Sequence, residues 1–279
     1  LLPKDLYEYL ASGTGDEQTL QENRAAFRRV FLIPRVQRDT STCNLQVQVL
    51  GAHAALPVFV SPAGVHALAH PEGELATARA ASRAESVFCL SQHSTYSIED
   101  VAKASPSSRR WYQAYLLKDR SLTRDLVLRA VKAGYSAVIL TVDSAVFGNR
   151  EADARNGFNG LPEHLCLANY GEIRAGWDDR DKDAWDQNTE RLFERNVSWQ
   201  DVSWLVELLP VPVLVKGIMC AEDAIAAISA GARGIIVSNH GGRQLDGCLS
   251  SIEALPDIAR AVRRHPQGGD DYALLLDSG

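Results

Sequence analysis

The sequence predicts an α/β fold, a (β/α)8 TIM barrel whose eighth βα unit is missing from the 279-residue chain. Three observations carry this expectation. Seven short, nearly continuous apolar runs lie at residues 57–61, 86–90, 110–115, 137–142, 211–215, 234–237 and 272–276, with the character of parallel strands buried on both faces. Helical patterns separate most of them, as right-handed parallel crossovers require. Each run ends in small or polar residues, and no GxGxxG follows a strand, which disfavours an open doubly wound sheet.

The elements follow in order. Residues 4–11 read as a short amphipathic helix, broken by Ser12-Gly13-Thr14-Gly15, and residues 16–30 as a second helix. Residues 31–56 read as loop and short strand, a hairpin covering the barrel floor. Helices are expected at 70–83, 97–103, 119–133, 221–230 and 251–264. Glu99 and Asp100 sit in the first turn of their helix, where the positive end of its dipole favours them. The 144–199 stretch is too long for an ordinary connection and reads as a lid-like insertion after strand four. Its front, GNREAD (148–153), continues from the strand end, so Arg150 can reach the barrel mouth. Its middle, 174–186, is rich in Asp with two Trp, which fits a mobile lid or a surface insertion; it is neither apolar nor basic enough to bind a membrane.

Composition narrows the function. With 46% apolar and 23% charged residues, the chain is an ordinary globular domain, read here as a single domain over residues 1–279. A net charge of −6 argues against a nucleic-acid groove, which needs clustered Lys and Arg. No apolar run approaches the roughly 18–20 residues of a membrane span. The five scattered cysteines form no CxxC or metal-like spacing, which indicates a reducing, intracellular compartment. The opening Leu1-Leu2-Pro3 lacks an initiator Met. The closing Leu274-Leu275-Leu276-Asp277-Ser278-Gly279 resembles a strand entering its functional loop, so the sequence reads as a fragment of a longer chain.

Residues 215–247 concentrate the chemistry. Two strands joined by one helix end at the same sheet edge, one with Lys216, the other with Ser238, His240 and Arg243. Polar residues at strand C-termini of a barrel read as active-site residues. The other strand ends contribute Ser91, Gln113, Tyr115, Thr141, Asp143 and Asp277, a set suited to a polar planar ring, although each alone could merely satisfy loop backbone. Asp143 is a candidate partner that would orient His240 and favour its imidazolium. Without a second His at ligand spacing, His240 reads as a general base rather than a zinc ligand, and no metal is expected. The absence of a GxSxG elbow disfavours a serine hydrolase. Arg150 and Arg243 at one mouth would clamp a carboxylate. Spacing alone makes Tyr9 a partly buried aromatic.

The motifs SNHGGRQLDG (238–247), LVKG (214–217), AHPEGE (69–74), LTVD (140–143), GNREAD (148–153), WYQAY (111–115) and YLASG (9–13) together resemble the FMN-dependent L-2-hydroxy acid oxidases and dehydrogenases, of the glycolate oxidase and lactate oxidase type. The match covers nearly the whole chain. It implies a barrel with FMN at its C-terminal mouth and oxidation of a small L-2-hydroxy acid to the 2-oxo acid. Oxygen is the expected acceptor, giving hydrogen peroxide, with an acceptor-linked dehydrogenase of the same family as the alternative. By position, His240 with Asp143 would be the base pair and Lys216 the cation beside the flavin. Arg150, Arg243, Tyr9, Tyr115 and His93 would bind substrate. Pro62, Ala63, Gly64, Ser91, Gln113, Thr141, Ser238, Asp277, Ser278 and Gly279 would contact FMN. Proton removal from the hydroxyl with hydride transfer, and removal from Cα, both remain open.

Departures from the pattern are informative. His93 stands where the family often has an aromatic residue in the substrate pocket, and Gly64 where a larger residue is common, which leaves room for lactate or a longer acid. Asn149 stands where Arg is common, Ser278 where Gly is common. The resemblance further implies a homo-oligomer, a tetramer, in cytoplasm or peroxisome. Two rivals stand beside it: another FMN barrel of different chemistry, or a truncated barrel without activity.

Overall fold

The computed structural model describes residues 2–158, 160–171 and 191–278. The Asp-rich middle of the insertion and Gly279 therefore lie outside the described residues. The elements are α1 (Lys4–Ala11), α2 (Gln18–Ala25), β1 (Val47–Val49), β2 (Ala52–Ala54), α3 (Gly73–Arg83), β3 (Val87–Ser91), α4 (Ile98–Ala104), β4 (Arg109–Ala114), α5 (Arg120–Lys132) and β5 (Ala137–Thr141). After the first part of the insertion, with α6 (Glu151–Asn156), come α7 (Trp199–Leu208), β6 (Val213–Ile218), α8 (Ala221–Ser229), β7 (Gly234–Val237), α9 (Ser251–Arg264) and β8 (Ala273–Leu276).

Strands β3 to β8 form one six-stranded parallel sheet in sequence order, curled into part of a barrel. Strand follows helix because the local signals agree. Ser97 accepts the Asp100 N–H at 3.0 Å to cap α4, and Asp119 accepts the Ser121 N–H at 2.8 Å to cap α5. Two apolar layers result. Leu90, Tyr112, Leu140, Val215 and Val237 face the surrounding helices; Val87, Cys89, Trp111, Ala137, Ile139, Leu214 and Ile236 fill the concave side. The β1–β2 hairpin turns at Leu50-Gly51, and Val49 and Leu50 pack against the concave core, as a floor would.

Two strand expectations are corrected. Residues 57–61 form no regular strand: only Val60 bridges Phe88 in parallel, with Val60 donating to Val87 O at 2.9 Å and accepting from Cys89 N–H at 3.0 Å. Proline at 57 and 62 brackets the run, and a residue without an N–H cannot extend a ladder. The fifth run does not stop at 215; β6 continues to Ile218, placing Lys216 inside the strand. The register shifts between Lys216 and Ile218, and Gly217 has φ +109°. A Cβ there would lie 2.7 Å from Asp143 Cβ, so the bulge needs glycine to bring β6 against Asp143.

Trp111 is buried in the concave core and meets Phe59 edge-on at 5.7 Å. Trp111→Ala is expected to cost about 3–5 kcal/mol in urea unfolding; a loss below about 1 kcal/mol would contradict a packed interior.

Candidate active site

Side chains alternate along a strand, so the residue two places after an interior apolar one also faces inward. In this sheet each step of two crosses from apolar core to polar mouth: Cys89 to Ser91, Trp111 to Gln113, Ile139 to Thr141, Leu214 to Lys216, Ile236 to Ser238 and Leu275 to Asp277. Phe59 to Ser61 repeats the pattern at the bridged segment. The polar layer is internally bonded. Ser91 Oγ donates to Gln113 Oε1 at 3.1 Å, and Gln113 Nε2 donates to Thr141 Oγ1 at 3.0 Å. Lys216 Nζ donates to Ser238 Oγ at 2.7 Å and pairs with Asp277 Oδ2 at 3.1 Å. Ser61 Oγ donates to the same Asp277 oxygen at 2.6 Å, tying the bridged segment to the far end of the sheet. Burial would raise the Asp277 carboxyl, but Lys216 and three serine hydroxyls bring it below the usual carboxylate range.

Above this layer opens a cavity of about 330 Å³, lined by Tyr9, Pro62, Ala63, Gly64, Ser91, His93, Tyr115, Arg150, Lys216, His240, Arg243, Asp277 and Ser278 among others. Gln113, Ser238 and Asp143 stand one hydrogen bond behind its wall, and Thr141 two. His240 has φ 59°, a left-handed conformation between Asn239 and two glycines. Its Nδ1 lies 2.8 Å from Asp143 Oδ1 and 3.3 Å from Ser144 Oγ. Asp143 therefore holds the Nδ1 proton and leaves Nε2 as the basic nitrogen. Burial would raise the Asp143 carboxyl; His240, Lys216 and the Ser144 hydroxyl together hold it below its ordinary range.

The arginines converge on α1. Arg243 Nη1 donates to the Tyr9 and Ser12 carbonyls at 2.9 and 2.8 Å. The Arg243 and Arg150 guanidinium carbons lie 5.4 and 5.1 Å from the Tyr9 ring centre, and Phe158 stacks on that ring at 4.1 Å. Tyr9 is thus a partly buried aromatic, as spacing alone suggests, that also lines the cavity. Burial first, and the Arg150 charge second, lower the Arg243 pKa, the signature of two cations held at one mouth. Arg150 Nε also lies 3.4 Å from Asp153 Oδ2.

Several contributors escape a reading of strand ends. Gln244 Nε2 donates to the Asp143 and Val146 carbonyls at 2.9 and 3.0 Å, locking the loops after β5 and β7 together. Glu74, fully buried, accepts from the His66 N–H at 2.9 Å and from the Thr95 N–H and hydroxyl at 3.0 and 2.5 Å, pinning the segments that carry Gly64 and His93. Tyr170 and Phe193, in the described roots of the insertion, pack against His93 at 5.8 and 5.5 Å between ring centres. Ser61 was legible, since it obeys the same period of two; Tyr170 and Phe193 carry no local signal. Asn149 acts through its carbonyl, which accepts from Thr14 Oγ1 and Gly15 N–H at 3.0 Å. Ser278, at φ 70°, offsets a conformation that favours glycine by accepting the Gly241 N–H at 2.9 Å.

Among the described residues no cluster of His, Cys, Asp or Glu is placed to hold a metal, and no helix is long and apolar enough to cross a membrane. The family model for FMN-dependent dehydrogenases matches residues 1–279. The chain belongs to the FMN-dependent dehydrogenase family. It is 46% identical over 263 residues to glycolate oxidase 3 of Oryza sativa subsp. indica, covering 94% of this chain and 71% of that protein. Glycolate oxidase of Spinacia oleracea is 43% identical over the same shares. Solved mandelate oxidase superposes with a TM-score of 0.88 at 40% identity, covering 99% of this chain and 74% of that one. Its complex with (S)-4-hydroxymandelic acid gives 0.90 at 40%.

The site also sets a pH dependence. Burial, aided by the nearby His240, pushes the His93 imidazole down to about 3, and burial lowers His66 in the same sense. Unfolded histidines bind protons near pH 6.5, so each unit of acidification below that value favours the unfolded chain. Asp143 and Asp277, lowered in the fold, extend the same trend into the carboxylate range. Stability is expected to be highest above about pH 6.5 and to fall toward pH 3, with His93→Phe flattening the slope between about pH 6 and 4 in urea titrations. An unchanged slope would contradict a buried neutral His93.

Proposed function

We propose that the chain catalyses FMN-dependent oxidation of an L-2-hydroxy acid to the 2-oxo acid, with oxygen as the electron acceptor and hydrogen peroxide as the second product. The observation that carries this reading is the convergence, on one cavity, of a carboxylate-held histidine, two arginines and a buried lysine. The relatives are oxidases of glycolate and of mandelate, which share an α-hydroxy carboxylate and differ in the side chain. Arg150 and Arg243 bind the substrate carboxylate, and the Tyr9 ring between them with Tyr115 orients it. That placement brings the α-hydroxyl and Cα–H toward His240 Nε2, which takes one proton of the substrate. Asp143 stabilises the imidazolium that results, its negative charge being already secured in the fold.

The residues at the mouth fit FMN. Ala63 and Gly64 offer a narrow apolar wall beside Ser91, while Gln113, Thr141, Ser238 and Ser278 supply neutral hydrogen-bonding groups. Lys216, 5% exposed, offers a fixed ammonium that would stabilise negative charge on a reduced ring. Bound FMN supplies the two-electron acceptor that no side chain provides. Asp277, now paired with Lys216, would hold the ribityl side with Ser278.

We further infer that the six-stranded sheet is part of a (β/α)8 barrel whose remaining unit comes from sequence outside this chain. Among the described residues β8 pairs only with β7, and a crevice lined by Val47, Val49, Phe59, Leu274 and Leu276 leads down to the buried concave core there. Burial in that core pushes the Cys89 thiol up to about 12, which makes it a packing residue rather than a nucleophile. A homo-oligomer is the expected assembly.

Anaerobic mixing of the FMN-loaded full-length protein with L-2-hydroxy acids is expected to bleach the visible flavin band, and reoxidation in air to yield peroxide. Failure of every such acid to bleach the band would overturn this function. His240→Ala should retain FMN yet slow bleaching by roughly 10²–10⁴-fold; rapid bleaching by that variant would remove His240 from the base role. Lys216→Met is expected to slow bleaching by about 10²-fold, and unchanged reduction would dismiss its charge as a contributor.

A further inference from the structure

The wall of the cavity contains a histidine for which the chemistry above has no use. His93 lines the cavity and is clamped by three rings: Phe193 parallel at 5.5 Å and 11°, Tyr115 at 5.1 Å and Tyr170 at 5.8 Å. Its backbone is equally fixed, with the N–H donating to Ser91 Oγ at 3.1 Å and the carbonyl accepting from Val65 N–H at 3.0 Å. Gly64 makes the space, since a Cβ at that position would stand 3.1 Å from His93 Cβ and 3.2 Å from its carbonyl oxygen. Yet Nε2 is buried without a hydrogen-bond partner among the described residues. No described group bonds Nδ1 either.

A buried donor or acceptor with no partner destabilises a fold. A phenylalanine in the same aromatic box would pack comparably without that penalty. The imidazole also stays neutral, because burial holds its pKa near 3. Nε2 is shut off from the cavity, so the ring can meet a ligand only along its part-exposed edge, where Nδ1 has no hydrogen-bond partner among the described residues. The two arginines and His240 account for the carboxylate and the reacting carbon of the substrate. The side chain is what remains for His93.

Resting on the proposed function, we propose that His93 reads the substrate side chain, and that the preferred L-2-hydroxy acid carries a neutral hydrogen-bonding group, such as a hydroxyl, on that side chain. A hydroxyl can donate to or accept from either tautomer of the ring. A carboxylate is disfavoured because the neutral imidazole brings no compensating charge into a buried wall. Glycolate, with no side chain, leaves the ring unpaired, and an apolar side chain adds the loss of a hydration shell that His93 cannot replace.

The test uses two acids of nearly equal shape, L-glycerate, with a terminal hydroxyl, and L-2-hydroxybutyrate, with a methyl in its place. Anaerobic reduction of the FMN-loaded full-length protein yields the substrate dissociation constant and limiting rate for each. The parent protein is expected to bind glycerate about tenfold or more tighter than hydroxybutyrate. In His93→Phe that ratio should fall to one or below, with limiting rates within about threefold and an unchanged or higher Tm. His93→Gln, which keeps a neutral hydrogen-bonding group, should restore part of the preference. A parent ratio near one, or a ratio that survives in His93→Phe, overturns the inference alone. If the ratio is lost only together with a lowered Tm, His93 is a packing residue and the inference also fails. No bleaching by either acid, nor by any other 2-hydroxy acid, overturns the proposed function and this inference with it.

Discussion

The architecture of the site depends on one geometric constraint, the period of two along parallel strands that face a closed interior. An inward position must be apolar where it meets the concave core. Two residues later, at the sheet's C-terminal edge, the next inward position meets the cavity. Six strands obey this alternation, with a two-residue stagger from β4 to β5 and from β6 to β7, so Ser91, Gln113, Thr141, Lys216, Ser238 and Asp277 reach one polar layer at or just past the strand ends. A slip of one residue in a strand would bury its polar terminus among helices and expose an apolar side chain to the cavity.

That layer brings a charge into a low-dielectric setting, and the structure handles it by pairing. Lys216 is nearly inaccessible, and its ammonium is satisfied by Asp277 and Ser238. An isolated buried cation would be strongly unfavourable, so Asp277 belongs to the same unit even though it follows a different strand. The His240–Asp143 pair works by the same logic one level higher, where the bulge at Gly217 lets β6 pass close behind Asp143. One polar pair thus lies in the layer and the other above it.

Above the layer, positioning passes to loops and to distant segments. The carbonyls of α1 hold Arg243, the loop before α6 brings in Arg150, and Gln244 ties the loops after β5 and β7. The described roots of the insertion deliver Tyr170 and Phe193 to the wall that holds His93. The strand-end residues were readable because strand periodicity is local and repeats. His240, Arg243 and Arg150 were readable because their motifs are specific in residue type and spacing. Tyr9 needed the family pattern, since one aromatic on a short helix is indistinguishable from a core residue until its partners are known.

By itself, the sequence determined the α/β class, the order of helix and strand, and the identity of the residues at the mouth, because these follow from hydrophobic period, capping and strand-end chemistry. Tertiary structure decided the rest. It reduced the 57–61 run to one bridge, between prolines at 57 and 62 that cannot donate to a ladder. It extended β6 through Lys216, since a glycine bulge allows the strand to continue. It also paired Lys216 with Asp277, 61 positions along the chain, and left His93 unpartnered inside a ring of aromatics. Such contacts join residues far apart in sequence, and their energies depend on burial and partners that exist only once the chain has closed on itself.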